Sequence, residues 1–142
     1  MRTVKQLLDE KGHDVASVPP GASVIDALRL MAEHGIGALL VMDGARLVGV
    51  VSERDYARKV ALQGRTSAAT LVSDIMSAEV QFVSPEDTVN ACMHRMTRHR
   101  IRHLPVMEGD AVVGVLSIGD LVKAVIADQQ EEISQLQQYI AG

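Results

Sequence analysis

The sequence predicts an α/β fold (of the α+β kind) made of two copies of one β-α-β-β-α unit. The first observation is an internal repeat: residues 18–60 align without a gap on residues 83–125, and sixteen of the 43 paired positions are identical. The second is that short runs rich in β-branched residues follow stretches with apolar residues at helical spacing. Because two copies of one small unit usually pack face to face, we expect a pseudo-two-fold pair.

Each copy starts with a short extended piece that ends in proline, followed by a helix. Ser23 and Thr88 precede the apolar positions of these helices, where a side-chain oxygen can cap the first turn. Gly35 ends the first helix as a left-handed cap, whereas Arg100 makes the same cap less favourable in the second. The extended pieces are 18–20 and 83–85.

Two strands and a second helix complete each copy. The predicted strands are 38–42 and 47–51 in the first copy, and 103–107 and 112–116 in the second. Ser52 and Ser117 then begin a helix, and each has an aspartate three residues later, Asp55 and Asp120. This S-x-x-D spacing is that of a capping box with the shorter acid.

The segments outside the repeat are less regular. Residues 71–76 are predicted as a short helical turn that leads into the second copy, after a polar linker at 63–69, and residues 4–8 are the counterpart before the first copy. A long C-terminal helix is predicted over about 120–139. Its outer part carries Ile133, Leu136 and Ile140, which indicate either a partner surface or a helix that folds back on its own domain.

Composition limits the classes of function. A chain of 142 residues with 47% hydrophobic residues can bury a sizeable core. The sequence has neither the roughly 20-residue apolar run of a membrane span nor a secretory signal, so we expect a cytoplasmic protein that makes no membrane contact. The net charge of −4 argues against nucleic acid. Cys92, the single cysteine, excludes an internal disulfide.

The S-x-x-D motif has a physical reason to bind a nucleotide. The start of a helix offers free backbone N–H groups and a partial positive charge, which favour phosphate. A serine hydroxyl adds a donor, and an aspartate carboxylate can accept from the two vicinal hydroxyls of a ribose. The alternative is that both motifs only cap their helices.

The full order of elements resembles the CBS domain, named after cystathionine β-synthase, and the tandem resembles a Bateman module of the stand-alone bacterial kind. The residues that carry the resemblance are 99–106 and 113–120 in the second copy, and 35–41 and 48–55 in the first. The domain division we expect is a first CBS-type repeat at 1–65, a second at 66–127, and the outer C-terminal helix at 128–142.

The resemblance implies a regulatory module, not an enzyme. Such modules bind adenosine-containing ligands in the cleft between the two repeats, and the expected ligand is AMP, NAD(H) or both, with ATP and S-adenosylmethionine as further candidates. It also implies a homodimer and a downstream protein that the sequence does not identify. Asp55 and Asp120 would hold ribose, and Ser52 and Ser117 would contact ribose or phosphate.

The resemblance further implies that each site combines the S-x-x-D motif of one repeat with segments of the other. To the Asp55 site it assigns Arg54, Asp74, Ile75, Met76, Ile101, Arg102 and His103. To the Asp120 site it assigns residues 4–8, with Lys5 as the nearby cation, and Ile36, Gly37 and Ala38. Val18 and Val83, from the Val-x-Pro segments, complete the set. The Asp55 site is thereby expected to be richer in phosphate-binding cations.

Other functions have weaker support. No base, nucleophile and oxyanion hole can be assembled from these residues. The basic stretch 94–103 is compatible with nucleic acid, but it lacks interleaved aromatics. The spacing of its histidines does not place them on one face, which argues against a metal site. The main competing hypothesis is a structural adaptor that binds a protein partner and no nucleotide.

Overall fold

The computed structural model describes residues 2–141. Met1 and Gly142, the outermost residues of the predicted domains, lie outside the described residues. The helices are α1 (Val4–Lys11), α2 (Val24–His34), α3 (Glu53–Tyr56), α4 (Val72–Ile75), α5 (Val89–His99) and α6 (Ile118–Ala141). The strands are β1 (Ser17–Val18), β2 (Ala38–Asp43), β3 (Arg46–Ser52), β4 (His103–Glu108) and β5 (Ala111–Ser117). Helices and strands therefore mix as predicted.

The strands of each repeat form a small sheet. In the first repeat the order is β1-β2-β3, with β1 parallel and β3 antiparallel to β2. In the second repeat β4 and β5 pair, and the predicted extended piece contributes a single parallel bridge between Val83 and Val106. The four strand predictions are confirmed, each extended by one or two residues.

The helix caps follow the sequence. Ser23 accepts from the backbone N–H of Asp26 and Thr88 from that of Ala91, as an N-cap does. Gly35 ends α2 in the left-handed region at φ 64°. Arg100 ends α5 in the same conformation at φ 54°, although a side chain disfavours it. The repeat therefore preserves the backbone turn where it does not preserve the glycine.

The chain forms two compact units whose boundaries differ from those of the repeats. One unit contains residues 2–13, 81–108 and 113–141, and the other contains residues 14–80 and 109–112. Helix α1 therefore packs within the unit of the second repeat, and α4 within the unit of the first. We call these two units the α1 unit and the α4 unit. Each has its own apolar core.

Helix α1 precedes the first repeat and helix α4 precedes the second, and we call them the leading helices. Equivalent backbone hydrogen bonds hold both of them. In the α1 unit, Val4 N–H donates to the Asp87 carbonyl at 2.8 Å and Lys5 N–H to that of Pro85 at 2.9 Å. In the α4 unit, Val72 N–H donates to the Ala22 carbonyl at 2.8 Å. The duplication therefore extends to the leading segments, at a slightly different spacing along the chain.

A glycine in the second strand of each repeat lets the leading helix approach closely. A Cβ placed on Gly49 would lie 2.7 Å from Met76 Sδ and 2.9 Å from the Ser77 carbonyl oxygen. A Cβ placed on Gly114 would lie 2.7 Å from a terminal methyl of Leu8. Glycine is required at position 49, where a Cβ would meet backbone, and it lets the Leu8 side chain lie directly on the strand at position 114.

The helices that follow the second strands differ. After Tyr56 the chain continues as a π-helical turn, Ala57–Ala61, with i→i+5 bonds such as Leu62 N–H to the Ala57 carbonyl at 3.0 Å. Helix α6 continues as an α-helix for 24 residues. The sequence pattern did not predict this π-helical turn.

Candidate functional site

Asp55 closes a complete capping box at the start of α3. Its Oδ2 accepts from the backbone N–H of Ser52 at 2.9 Å and from the Ser52 hydroxyl at 3.0 Å. The Asp55 N–H in turn donates to Ser52 Oγ at 3.2 Å. The predicted pairing of this serine with this aspartate is therefore present, and it fixes the carboxylate at the end of β3.

Lys59 links Asp55 to the second leading segment. Its ammonium lies 3.2 Å from Asp55 Oδ1 and donates to the Ile75 carbonyl at 2.8 Å. Lys59 is not among the residues predicted for the site, although its i,i+4 spacing from Asp55 on a helix was a usable signal. The bond to Ile75 depends on how α4 packs and has no signal in the local sequence.

Asp120 makes the corresponding arrangement in the α1 unit. Its Oδ2 accepts from the Ser117 N–H at 2.8 Å and from the Lys11 ammonium at 2.7 Å. Lys11 also donates to the Val115 carbonyl at 2.7 Å. The lysine here comes from the leading helix, whereas in the α4 unit it comes from the repeat itself.

The pKa of Asp120 is lowered from its ordinary value of 3.8. Burial is the largest single influence and acts to raise this pKa, but the hydrogen bonds and charge of Lys11 and the bonds from Ser117 together outweigh it. Asp120 is therefore an ionised, half-buried carboxylate at the start of a 24-residue helix. Such a group is a strong hydrogen-bond acceptor for ligand hydroxyls.

The start of each first strand lies beside the S-x-x-D motif of the same repeat. In the α1 unit, Ile118 N–H donates to the Arg102 carbonyl at 2.8 Å, and Asp120 is close enough to act on the pKa of His103. That pKa is lowered from 6.5, chiefly by burial, with Lys11 and Arg102 also lowering it and Asp120 opposing. In the α4 unit, Glu53 N–H donates to the Gly37 carbonyl at 3.0 Å.

These contacts place Arg102 and His103 in the same unit as Asp120. The assignment of both residues to the Asp55 site stays a prediction, and so does the assignment of Ile36, Gly37 and Ala38 to the Asp120 site. What the structure adds is a set of basic groups around Asp120 that the sequence analysis did not assign there.

Lys11 is the lysine that the structure places on Asp120, and the nearness of Lys5 to this carboxylate stays a prediction. The Lys5 ammonium lies 3.5 Å from Asp9 Oδ2 and its side chain is 72% exposed. Val4, Leu8 and Lys11 fall at i, i+4 and i+7, so Lys11 and not Lys5 continues the buried face of α1. That continuation was the missed signal. A direct role of Lys5 in ligand binding stays a prediction.

The remaining predicted residues occupy several environments. Asp74 accepts from the Leu71 N–H at 3.2 Å and lies 3.9 Å from an Arg65 nitrogen. Arg54 is exposed beside Asp55. Four of them, Val18, Ala38, Ile75 and Val83, are buried residues, and four others, Ile36, Gly37, Met76 and Ile101, are of intermediate exposure. A ligand contact from the buried group would use backbone atoms, as the Ile75 carbonyl already does.

Two features of the described residues bear on other classes of function. No helix within residues 2–141 is long and apolar enough to cross a membrane. The same residues contain no group of three or more histidine, cysteine, aspartate or glutamate side chains placed to hold a metal ion.

The chain is similar to known proteins along most of its length. A solved protein with CBS domains from Burkholderia ambifaria is 54% identical, with a TM-score of 0.87 over 90% of this chain and 96% of that one. A mitochondrial CBS domain-containing protein of Arabidopsis thaliana, CBSX3, is 43% identical over 125 residues. That match covers 84% of this chain and 61% of the relative, so the chain spans less than two thirds of the relative's length.

A third similarity concerns the fold. A CBS domain pair solved with 5′-methylthioadenosine and S-adenosyl-L-methionine has a TM-score of 0.79 at 22% identity, over 90% of this chain and 98% of that one. The CBS domain profile itself matches residues 4–62 and 72–127. Each of these two matched ranges includes a leading segment and an S-x-x-D motif. The chain therefore belongs to the CBS domain family and contains two CBS domains.

Proposed function

We propose that this CBS pair is a regulatory module that binds adenine nucleotides through its two S-x-x-D motifs. One observation carries the proposal: the carboxylates of Asp55 and Asp120 are each fixed by a serine and each paired with a lysine. The duplication of this arrangement is more than helix capping requires, because a capping box is complete without the lysine.

The chemistry of the pair suits a ribose with an attached phosphate. A ribose hydroxyl both donates and accepts, and a carboxylate beside an ammonium offers both partners at one place. The ammonium has three N–H groups, and two of those on Lys11 have protein partners, Asp120 and the Val115 carbonyl. At Asp120 the start of α6 adds backbone N–H groups and a partial positive charge, which favour phosphate.

The proposed ligands are AMP, NAD(H) or both, as the family resemblance implies. The CBS pair solved with two adenosine-containing ligands supports the ligand class through its shared fold, not through its sequence. The Lys11 ammonium, which contacts Asp120, favours a ligand that carries phosphate at this motif.

The proposed output is a shift between conformations or assemblies. Both lysines connect an aspartate to the contact between a leading segment and a repeat, through the Ile75 carbonyl and through α1 itself. A ligand that draws either carboxylate or either lysine toward itself alters that contact. A homodimer and a downstream protein partner are part of this proposal.

A thermal-shift screen tests the ligand class. Protein stripped of co-purified ligand is compared with and without AMP, ATP, NAD, NADH and S-adenosylmethionine. A ligand at about 100 times its dissociation constant adds roughly 2.7 kcal/mol to the free energy of unfolding. The proposal predicts a rise in melting temperature with AMP or NAD(H).

The matched variants are Asp55→Ala with Asp120→Ala, and Asp26→Ala. Ser23 and Asp26 have the same S-x-x-D spacing, but Asp26 pairs with Arg29 at 3.3 Å and its side chain is 64% exposed. We expect the double variant to lose the ligand-induced shift and Asp26→Ala to keep it. If no nucleotide shifts the stripped wild type, the proposal is wrong and the protein-binding adaptor is favoured.

A further inference from the structure

Helix α6 carries two apolar stripes, only one of which its own unit covers. The inner stripe contains Leu121 and Ala124, both buried, and ends where Asp128 meets Arg2 at 3.0 Å. From residue 129 to residue 141 every side chain is exposed. The predicted alternative that the outer helix folds back on its domain is not what the described residues show.

The outer stripe has the spacing of a coiled-coil seam. Its members follow a strict 4-3-4-3-4 pattern and are Val122, Ile126, Gln129, Ile133, Leu136 and Ile140. At about 100° per residue they fall within a band roughly 80° wide. Exposure of the apolar members rises along the helix, from 41% at Val122 to 82% at Ile140.

A helix that projects in this way requires a covering surface. Isolated helices shorter than roughly 12–15 residues are marginal in water, and most helical stability comes from packing an apolar face. The segment beyond Asp128 has no such packing among the described residues. Its isoleucines and leucine lie on one face, so a single partner helix can cover all of them.

The residue types indicate a second copy of the same segment. In heptad notation the a positions are all isoleucine, and the d positions are Val122, Gln129 and Leu136. Isoleucine at a with leucine at d, the combination at Ile133 and Leu136, favours two parallel strands. The flanking e and g positions are Lys123, Val125, Gln130, Glu132, Gln137 and Tyr139. In a parallel pair Glu132 faces a glutamine, so no like charges meet.

The reverse orientation is less favourable. An antiparallel overlap of the same segment, centred near residue 131, would bring Glu132 of one copy opposite Glu132 of the other. Like charges at such positions are a common means of excluding a wrong pairing. Gln129, the one polar residue in the seam, can hydrogen-bond to its own counterpart only in the parallel register.

We propose that residues 122–140 pair with the same residues of a second copy as a short parallel coiled coil. The seam is about three heptads long, which is short for an autonomous coiled coil. The contact therefore rests on the homodimer of the proposed function, in which the folded units supply the rest of the interface.

Cysteine cross-linking of the full chain tests the proposal. Ile133→Cys places a thiol at an a position, where a parallel in-register pair brings the two sulfurs together. Gln138→Cys places one on the opposite side of the same helix and is the matched control. Burial raises the pKa of the native Cys92 thiol to about 11, with Asp87 raising it further and Arg95 opposing, so this residue reacts slowly.

We expect mild oxidation of micromolar protein to convert several times more Ile133→Cys than Gln138→Cys into disulfide-linked dimer on a non-reducing gel. Adding Leu136→Lys to Ile133→Cys should abolish the difference, while adding Ser134→Lys, on the polar side, should preserve it. Equal cross-linking of Ile133→Cys and Gln138→Cys, or none in either, would overturn the proposal. None of these outcomes depends on nucleotide binding.

Discussion

The two S-x-x-D motifs share their serine and aspartate, but they meet their leading segments in different ways. In the α4 unit the leading helix is short, and the chain beyond it pairs with the strand: Ser77 and Val50 exchange two backbone hydrogen bonds, of 2.9 and 3.0 Å. In the α1 unit the leading helix is twice as long. The equivalent strand carbonyl, at Val115, accepts from the Lys11 ammonium.

The two units connect the aspartate carboxylate to the leading segment in two different ways. In both units a lysine joins the candidate ribose carboxylate to the leading segment, but in opposite directions. Lys59 belongs to the repeat and reaches the Ile75 carbonyl, while Lys11 belongs to the leading helix and reaches Asp120. We infer that the link between carboxylate and leading segment matters more than which residue supplies it.

The largest expected effect concerns the close approach of strand and leading segment. Gly49→Ala places a Cβ against a backbone carbonyl that cannot move without the segment, so we expect a loss of about 2–3 kcal/mol in the free energy of unfolding. Gly114→Ala meets only the mobile end of Leu8, and we expect about 1 kcal/mol. Urea denaturation measures both.

Gly21→Ala is the control for this pair, because a Cβ there meets nothing within 4 Å. It should leave the urea midpoint unchanged or raise it slightly. If Gly114→Ala lowers the free energy of unfolding as much as Gly49→Ala does, Leu8 yields no more easily to the added Cβ than the Ser77 backbone does, and the two leading segments do not differ in this respect.

The next largest expected effects on stability concern the two lysines, Lys11 and Lys59. Lys11→Met removes donors from Asp120 and from Val115, so we expect it to cost about 1–2 kcal/mol at pH 7 after allowance for partial exposure. Lys59→Met removes a weaker, more exposed pair and should cost about half as much. Thermal denaturation of the two variants beside the wild type gives the order, and a larger effect of Lys59→Met would reverse our interpretation.

The pH dependence of Lys11→Met provides a second test. Because the folded pKa of Asp120 is lowered, its ionised form stabilises the fold above 3.8, and this contribution is lost as pH falls through the folded value. The stability difference between wild type and Lys11→Met should therefore shrink below pH 3.8. A constant difference from pH 7 to pH 3 would mean that Lys11 acts without the Asp120 charge.

The smallest expected effect separates His103 from Ala38, its counterpart in the first repeat. Burial lowers the pKa of His103, so its neutral form stabilises the α1 unit above about pH 6.5, and this contribution is lost as pH falls. His103→Gln should flatten the fall in stability between pH 7.5 and pH 5, followed as the urea midpoint. Equal slopes in the wild type and His103→Gln would exclude His103 as the source.

Local features were predictable from the sequence because neighbouring residues determine them. The caps at Ser23 and Thr88 and the boxes at Ser52 and Ser117 depend on residues three positions apart. The lysine contacts depend on tertiary packing, which one sequence does not show. The helical spacing of Val4, Leu8 and Lys11 nevertheless indicated that Lys11 lies on the buried side of α1. The left-handed Arg100 shows that the hydrogen bonds that end a helix can form at a residue whose side chain disfavours the conformation, because its N–H still donates to the carbonyls of Met96 and Thr97.

Calorimetry with AMP and NAD measures whether the two lysine-paired carboxylates bind the ligand. Asp55→Ala and Asp120→Ala are titrated separately beside Asp26→Ala and the wild type, all stripped of nucleotide. We expect Asp26→Ala to bind as the wild type does, and at least one of the other two to lose tenfold or more in affinity or to lose a binding site. Wild-type binding by both Asp55→Ala and Asp120→Ala would contradict this expectation.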